Sequence, residues 1–102
     1  MVQKLQARMK VNNKDIELNP FVESYVANVT LGVVRSLKGV DYLKKIEVRV
    51  DRNDVEILVN GGEVELTPFP QGVIASTLRG LVSALKGAEA AESINIHVDV
   101  TS

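Results

Sequence analysis

Four stretches of the chain alternate between apolar and polar positions. Leu5, Ala7, Met9 and Val11 alternate with Lys4, Gln6, Arg8 and Lys10. Ile46, Val48 and Val50 do so with Glu47, Arg49 and Asp51, and Val55, Ile57 and Val59 follow after a short turn. Ile94, Ile96, Val98 and Val100 alternate with Asn95, His97, Asp99 and Thr101. A period of two marks a strand with one oily and one wet face, which predicts strands over 2–11, 44–51, 54–59 and 93–100. Two other stretches have helical periodicity. At 100° per residue Val22, Tyr25, Val26, Val29, Val33 and Leu37 fall on one face with Phe21 at its edge. Ile74, Leu78, Leu81 and Leu85 do the same, with Val73 beside them. Asn19 and Thr67 are good N-caps, Pro20 and Pro68 suit the first helical position, and Gly39 and Gly87 suit the residue past the end. Lys38 and Lys86 favour the negative end of each helix dipole.

The two halves read alike. Residues 11–51 lie over 59–99 without a gap, at an offset of 48 residues (59 minus 11), with about fifteen of roughly forty positions identical. Val59-Asn60-Gly61-Gly62 signals a tight turn with positive φ, followed by a short returning strand at Val64 and Leu66. Val11-Asn12-Asn13-Lys14, with Ile16 and Leu18, is its counterpart. The expected fold is therefore α+β: one domain, 1–102, made of two pseudo-symmetric repeats (about 2–51 and 52–101) from a tandem βαβ duplication. The expected architecture is a ferredoxin-like two-layer sandwich, βαββαβ, with short hairpin extensions after strands 2–11 and 54–59. In that arrangement 2–11 and 54–59 are central and 44–51 and 93–100 lie at the edges. The basic first strand would then run between Asp54 and Glu56 on one side and Asp99 on the other.

A second apolar stripe lies opposite the expected core face of the first helix, at Ala27, Leu31 and Val34. The second helix repeats it as Ala75 and Val82, with Arg79 in place of the leucine. A stripe kept in part by both repeats points to helix–helix burial, either within the monomer or in an oligomer. Self-association as a twofold homodimer makes Ala27, Leu31, Val34, Ala75 and Val82 the candidate interface. Gly32 and Gly80 lie mid-helix, where glycine is unfavourable, and imply close backbone approach.

Composition narrows the chemistry. The chain has 12 basic and 13 acidic residues, net charge −1, one histidine and no cysteine. Disulfides and thiolate chemistry are thereby excluded, and a cytoplasmic location is expected. No apolar run is long enough to span a membrane. His97 reads as a surface residue on an edge strand. Asp51-Arg52-Asn53-Asp54 lacks the glycine and terminal glutamate of a calcium loop and reads as a hairpin turn. No phosphate-cradling glycine motif occurs, and no metal or cofactor is expected. The predicted open sheet face has no aromatic for base stacking, so nucleic-acid binding is the weakest reading.

The stretch LNPFVESYVANVTLGVVRSLKGVD…KIEVRV resembles small archaeal proteins of unknown function with an N-P-F-V…S-L-K-G-V-D helix. It is less similar to Alba-type chromatin proteins, whose basic character it lacks. The resemblance implies no activity. The expected function is a non-catalytic interaction or regulatory domain that self-associates, with a small ligand held between subunits by analogy with ACT-like domains. Two alternatives stand beside it. One is a small enzyme with a site at a subunit interface, drawing on Glu17/Glu65, Lys38/Lys86 or Asp51/Asp99. The other is a nucleic-acid-binding protein.

Overall fold

A computed structural model describes residues 4–37, 43–52, 54–66, 68–86 and 92–101. Its elements run β1 (Lys4–Val11), β2 (Lys14–Ile16), α1 (Pro20–Arg35), β3 (Lys45–Asp51), β4 (Asp54–Val59), β5 (Gly62–Val64), α2 (Pro68–Lys86) and β6 (Ser93–Thr101). The strands form one six-stranded antiparallel sheet in the order β2-β1-β6-β3-β4-β5. Both helices pack on one face of it and share one core. Three pairs of element starts recur at the 48-residue offset: β2 and β5 at 14 and 62, α1 and α2 at 20 and 68, and β3 and β6 at 45 and 93.

The α+β class and both hairpin extensions appear as expected, but the sheet order does not. β6 and β3 are central, while β1 and β4 lie outside them, the reverse of the ferredoxin-like order. The reason is that a strand has two edges. One edge of β4 pairs with β3 through the hairpin and the other with β5, so none is left for β1. β2 likewise takes the outer edge of β1 at Met9–Val11 and leaves only its inner edge, which β6 fills over Lys4–Val11. Each βαβ unit is still split by one strand of the other. β6 lies between β1 and β3, and β3 lies between β4 and β6. The expected charge alternation survives on one side only: β1 adjoins β6, where Asp99 stands opposite Gln6, and it does not touch Asp54 or Glu56. Those acids adjoin β3, where Arg49 bonds both Glu56 and Glu47.

The turns have the backbone that their residues favour. Asn12, Asn13, Asn60 and Gly61 all have positive φ, as a two-residue type I′ hairpin requires. The Asp51–Asp54 segment is the β3–β4 hairpin. Asn19 caps α1, its Oδ1 accepting from the Val22 amide at 2.8 Å, with Pro20 in the first turn. Ser36 closes that helix by returning its amide and hydroxyl to the Gly32 carbonyl. The expected caps at Thr67, Gly39 and Gly87 lie outside the described residues, as does Lys38.

The core is aliphatic. It joins Ala7, Met9 and Val11 of β1 with Ile46, Val48, Val50, Val55, Ile57, Ile94, Ile96, Val98 and Val100. The helices close it with Val26, Ala27, Leu31 and Val34 from α1 and Ile74, Ala75, Leu78 and Val82 from α2. The helix faces are therefore rotated from expectation. Ala27, Leu31, Val34, Ala75 and Val82, read as an interface between copies, are each at most 2 % exposed and lie within the chain's own core. Of the expected core face, Val26, Ile74 and Leu78 are buried, whereas Val22, Val29, Val33 and Leu81 are half-buried and Tyr25, Val73 and Leu85 are exposed. Helix α1 is apolar on both sides. The inner face of the sheet takes the stripe with small Ala27 and branched Leu31 and Val34, and Phe21 and Tyr25 turn outward. Thr30, the one buried polar helix residue among those described, donates its hydroxyl to the Val26 carbonyl at 2.8 Å.

Candidate functional site

The outer surface of the helical layer mixes apolar with small uncharged polar side chains and is almost free of charge. The 16 residues of α1 and 19 of α2 contain only Glu23, Arg35, Arg79 and Lys86 as charged residues. Glu23 turns inward and accepts the Ala7 amide of β1 at 3.0 Å, and Arg35 sits at the last position of α1. Between these ends the exposed positions are Phe21, Ser24, Tyr25, Asn28 and Gly32 on α1. On α2 they are Gly72, Val73, Ser76, Thr77, Gly80, Ser83, Ala84 and Leu85. A helix face in contact with water ordinarily carries charge, so this surface is unlike a solvated one. Depletion of charge around aromatic anchors is instead the composition of an interface core.

The surface has relief. The start of α1 runs beside the C-terminal half of α2, and the two helices leave a groove of about 340 Å³ between them. Val22, Tyr25 and Val29 form one wall, Thr77, Leu81 and Leu85 the other, with Phe21, Gly80 and Ala84 completing the lining. Phe21 is 75 % exposed and Tyr25 51 %, their rings tilted with centroids 6.2 Å apart. Val73 (49 %) and Leu85 (37 %) are the other large exposed hydrophobic residues among those described.

Gly32 and Gly80 make no close backbone approach within the chain. A Cβ built on either would meet nothing within 4 Å. Both glycines are exposed, so the structure offers no internal reason for residues that weaken their helices.

The open face of the sheet is the opposite kind of surface. It presents Lys4, Arg8 and Lys10 from β1, then Asp99, His97 and Asn95 from β6. Lys45, Glu47 and Arg49 of β3 and Leu58, Glu56 and Asp54 of β4 follow. His97 stands on a central strand rather than the expected edge, in register between Arg8 and Glu47, its Nδ1 4.0 Å from Glu47 Oε1. Among the described residues this face carries no Phe, Tyr or Trp, and His97 is its one aromatic ring.

The residues considered for catalysis are dispersed. Glu17 and Glu65 are exposed in the β2–α1 and β5–α2 connections, next to the two outermost strands at opposite edges of the sheet. Asp51 pairs with Ser93 at one end of β6, and Asp99 lies six residues along that strand, opposite Lys45, about 20 Å away at strand rise. Lys86 ends α2, with a side chain outside the described set. Among the described residues no three His, Cys, Asp or Glu side chains gather as a metal site, and no helix is long and apolar enough to cross a membrane.

No protein-family model, curated protein or solved structure matches the chain.

Sequence reasoning singled out Gly80 of the groove but not its walls. The available signal was the scarcity of Asp, Glu, Lys and Arg across both helices, which leaves neither side marked as the wet one.

Proposed function

We propose that this chain is a non-catalytic interaction domain that self-associates as a twofold dimer through the outer face of its helical layer. The observation that carries this reading is the partition of charge between the two faces of the slab. Charged residues crowd the open sheet and are nearly absent from the exposed helix surface. A surface without charge around exposed hydrophobic residues gains by covering an equally neutral one, because neither side must strip water from a charge. The surface known here to have that character is the same face on a second copy. Two helices of about 24 and 28 Å, packed side by side, make a plate of roughly 500 Å², so two plates bury about 1,000 Å², the threshold for a specific interface. The shared element starts at the 48-residue offset further support a tandem duplication as the origin of the two halves.

Analytical ultracentrifugation of wild type against Val73→Glu tests the reading. The 11.1 kDa chain should sediment as a species of twice that mass, and the variant, which places a charge on the plate, at the single-chain mass. A wild type that stays monomeric at about 100 µM would remove the proposal, since so weak a contact is not specific association.

A further inference from the structure

We infer that the groove between α1 and α2 is a socket for Phe21 of a second copy, each ring seating over the partner's Gly80. The inference rests on the self-association proposed above and specifies which residues meet.

Among the described residues Phe21 is the most exposed of the large hydrophobic ones, and it stands on the groove's rim. Its neighbour Tyr25 supports it from one side, with ring centroids 6.2 Å apart, while most of its surface stays open. The socket has the complementary shape. Gly80 lines it, and the space where its Cβ would point is empty to 4 Å. The groove's volume of about 340 Å³ exceeds the roughly 150 Å³ that accepts benzene in a protein cavity, so a phenyl ring fits with room for its neighbours. The remaining lining is Val22, Val29, Leu81, Ala84 and Leu85 with one hydroxyl from Thr77, which donates to the Val73 carbonyl at 2.9 Å and so makes no polar demand on an occupant.

Symmetry favours a copy of this chain as the occupant. A knob and a hole on the same face satisfy an isologous contact when a twofold axis lies in the contact plane midway between them. Phe21 and Gly80 both line the one groove, so such an axis places each ring over the partner's Gly80 and makes the contact twice. A charged or strongly polar partner would find no counter-charge along this groove. The mid-helix glycine also gains a purpose, because a side chain at position 80 would fill the seat.

The test uses the absence of native cysteine, which makes any engineered thiol unique. Phe21→Cys and Gly80→Cys chains are mixed and mildly oxidised. A disulfide-linked heterodimer should form well above the level of a control mixture in which Glu56→Cys, on the opposite face, replaces Gly80→Cys. In parallel, Gly80→Leu should weaken dimerisation about tenfold or more, with a melting temperature no lower than wild type when both are measured at a concentration low enough to be monomeric. A wild type that dimerises by sedimentation, with cross-linking no better than the control and Gly80→Leu associating normally, would overturn the socket and leave self-association standing. A monomeric wild type would remove both.

Discussion

Asn12 and Asn60 make the same pair of hydrogen bonds in the two halves of the sheet. Asn12 Oδ1 accepts from the amides of Glu92 and Ser93 at 2.9 and 3.1 Å, and Asn60 Oδ1 accepts from those of Lys44 and Lys45 at 2.8 and 2.9 Å. Each backbone amide adds a bond to the carbonyl of the same strand, Asn12 to Ser93 at 2.9 Å and Asn60 to Lys45 at 2.8 Å. Each asparagine thus begins a tight hairpin with positive φ and ties it to the first residues of a central strand. The turn motif retained at the 48-residue offset stitches β1 to β6 and β4 to β3, and so helps to set the sheet order.

Replacing Asn60 separates these two roles. Asn60→Gly keeps the positive φ and loses only the side-chain acceptor, so it should destabilise the fold by about 1 kcal/mol. Asn60→Ala also places an unsuitable residue in the left-handed region, raising the loss to about 2–3 kcal/mol. Urea denaturation of both variants checks the order. Equal losses would mean that the backbone conformation contributes nothing.

Strands and helix starts were legible because each leaves a local mark: alternation for Met9 and Ile96, a cap and proline for Asn19 and Pro20. Sheet order was not read correctly, although the hairpin extensions held the clue. Once β5 is granted to β4, that strand has no free edge for β1. The helix faces were misassigned for a different reason. Val22, Tyr25 and Val29 on one side of α1, and Ala27, Leu31 and Val34 on the other, are both apolar, and a moment argument needs a polar side to choose between them. The choice depends on shape against the sheet, which is a property of the packed structure. The outward face could be recognised only from its lack of charge.

That rotation of the helix gives a direct contrast between two truncations to alanine. Leu31→Ala empties a buried position in the core and should cost about 2–5 kcal/mol of folding stability. Phe21→Ala removes a larger side chain from an exposed site and should change monomer stability by no more than about 0.5 kcal/mol. Thermal unfolding at low protein concentration measures both. Comparable losses would return Phe21 to the core face.

The glycines make an opposite pair of effects. Gly32→Ala and Gly80→Ala add a methyl into open space, so each should stabilise the isolated chain by about 0.5–1 kcal/mol through helix propensity alone. Gly80→Ala should at the same time weaken association, since the methyl enters the groove. Melting curves and sedimentation on the same samples separate the two. A variant that is both less stable as a monomer and unchanged as a dimer would contradict the geometry.

Glu23 protects an exposed strand edge. β2 covers β1 only from Met9 to Val11, which leaves the Ala7 amide facing outward, and the Glu23 carboxylate takes it at 3.0 Å. Glu23→Ala should open that amide to water, speeding its hydrogen exchange well beyond that of Met9 while costing about 0.5–1.5 kcal/mol of stability. Exchange measured by NMR distinguishes this from a general loosening, in which Met9 and Ala7 would accelerate together.

Salt discriminates between the two faces of the slab as the contact surface. Between about 0.01 and 1 M salt the screening length falls from about 30 to 3 Å, which weakens any contact held by exposed charges. An interface on the helical plate has none along its groove, so its dissociation constant should move by less than about twofold across that range. Its heat-capacity change on association should be negative, the mark of apolar burial. An interface on the sheet, among Arg8, Lys10, Glu56 and Asp99, would weaken steeply with salt and show a smaller heat-capacity change. Dilution calorimetry of the dimer at the two salt extremes and at several temperatures reads both quantities. A tenfold salt dependence would move the contact to the charged face and leave the groove without its second copy.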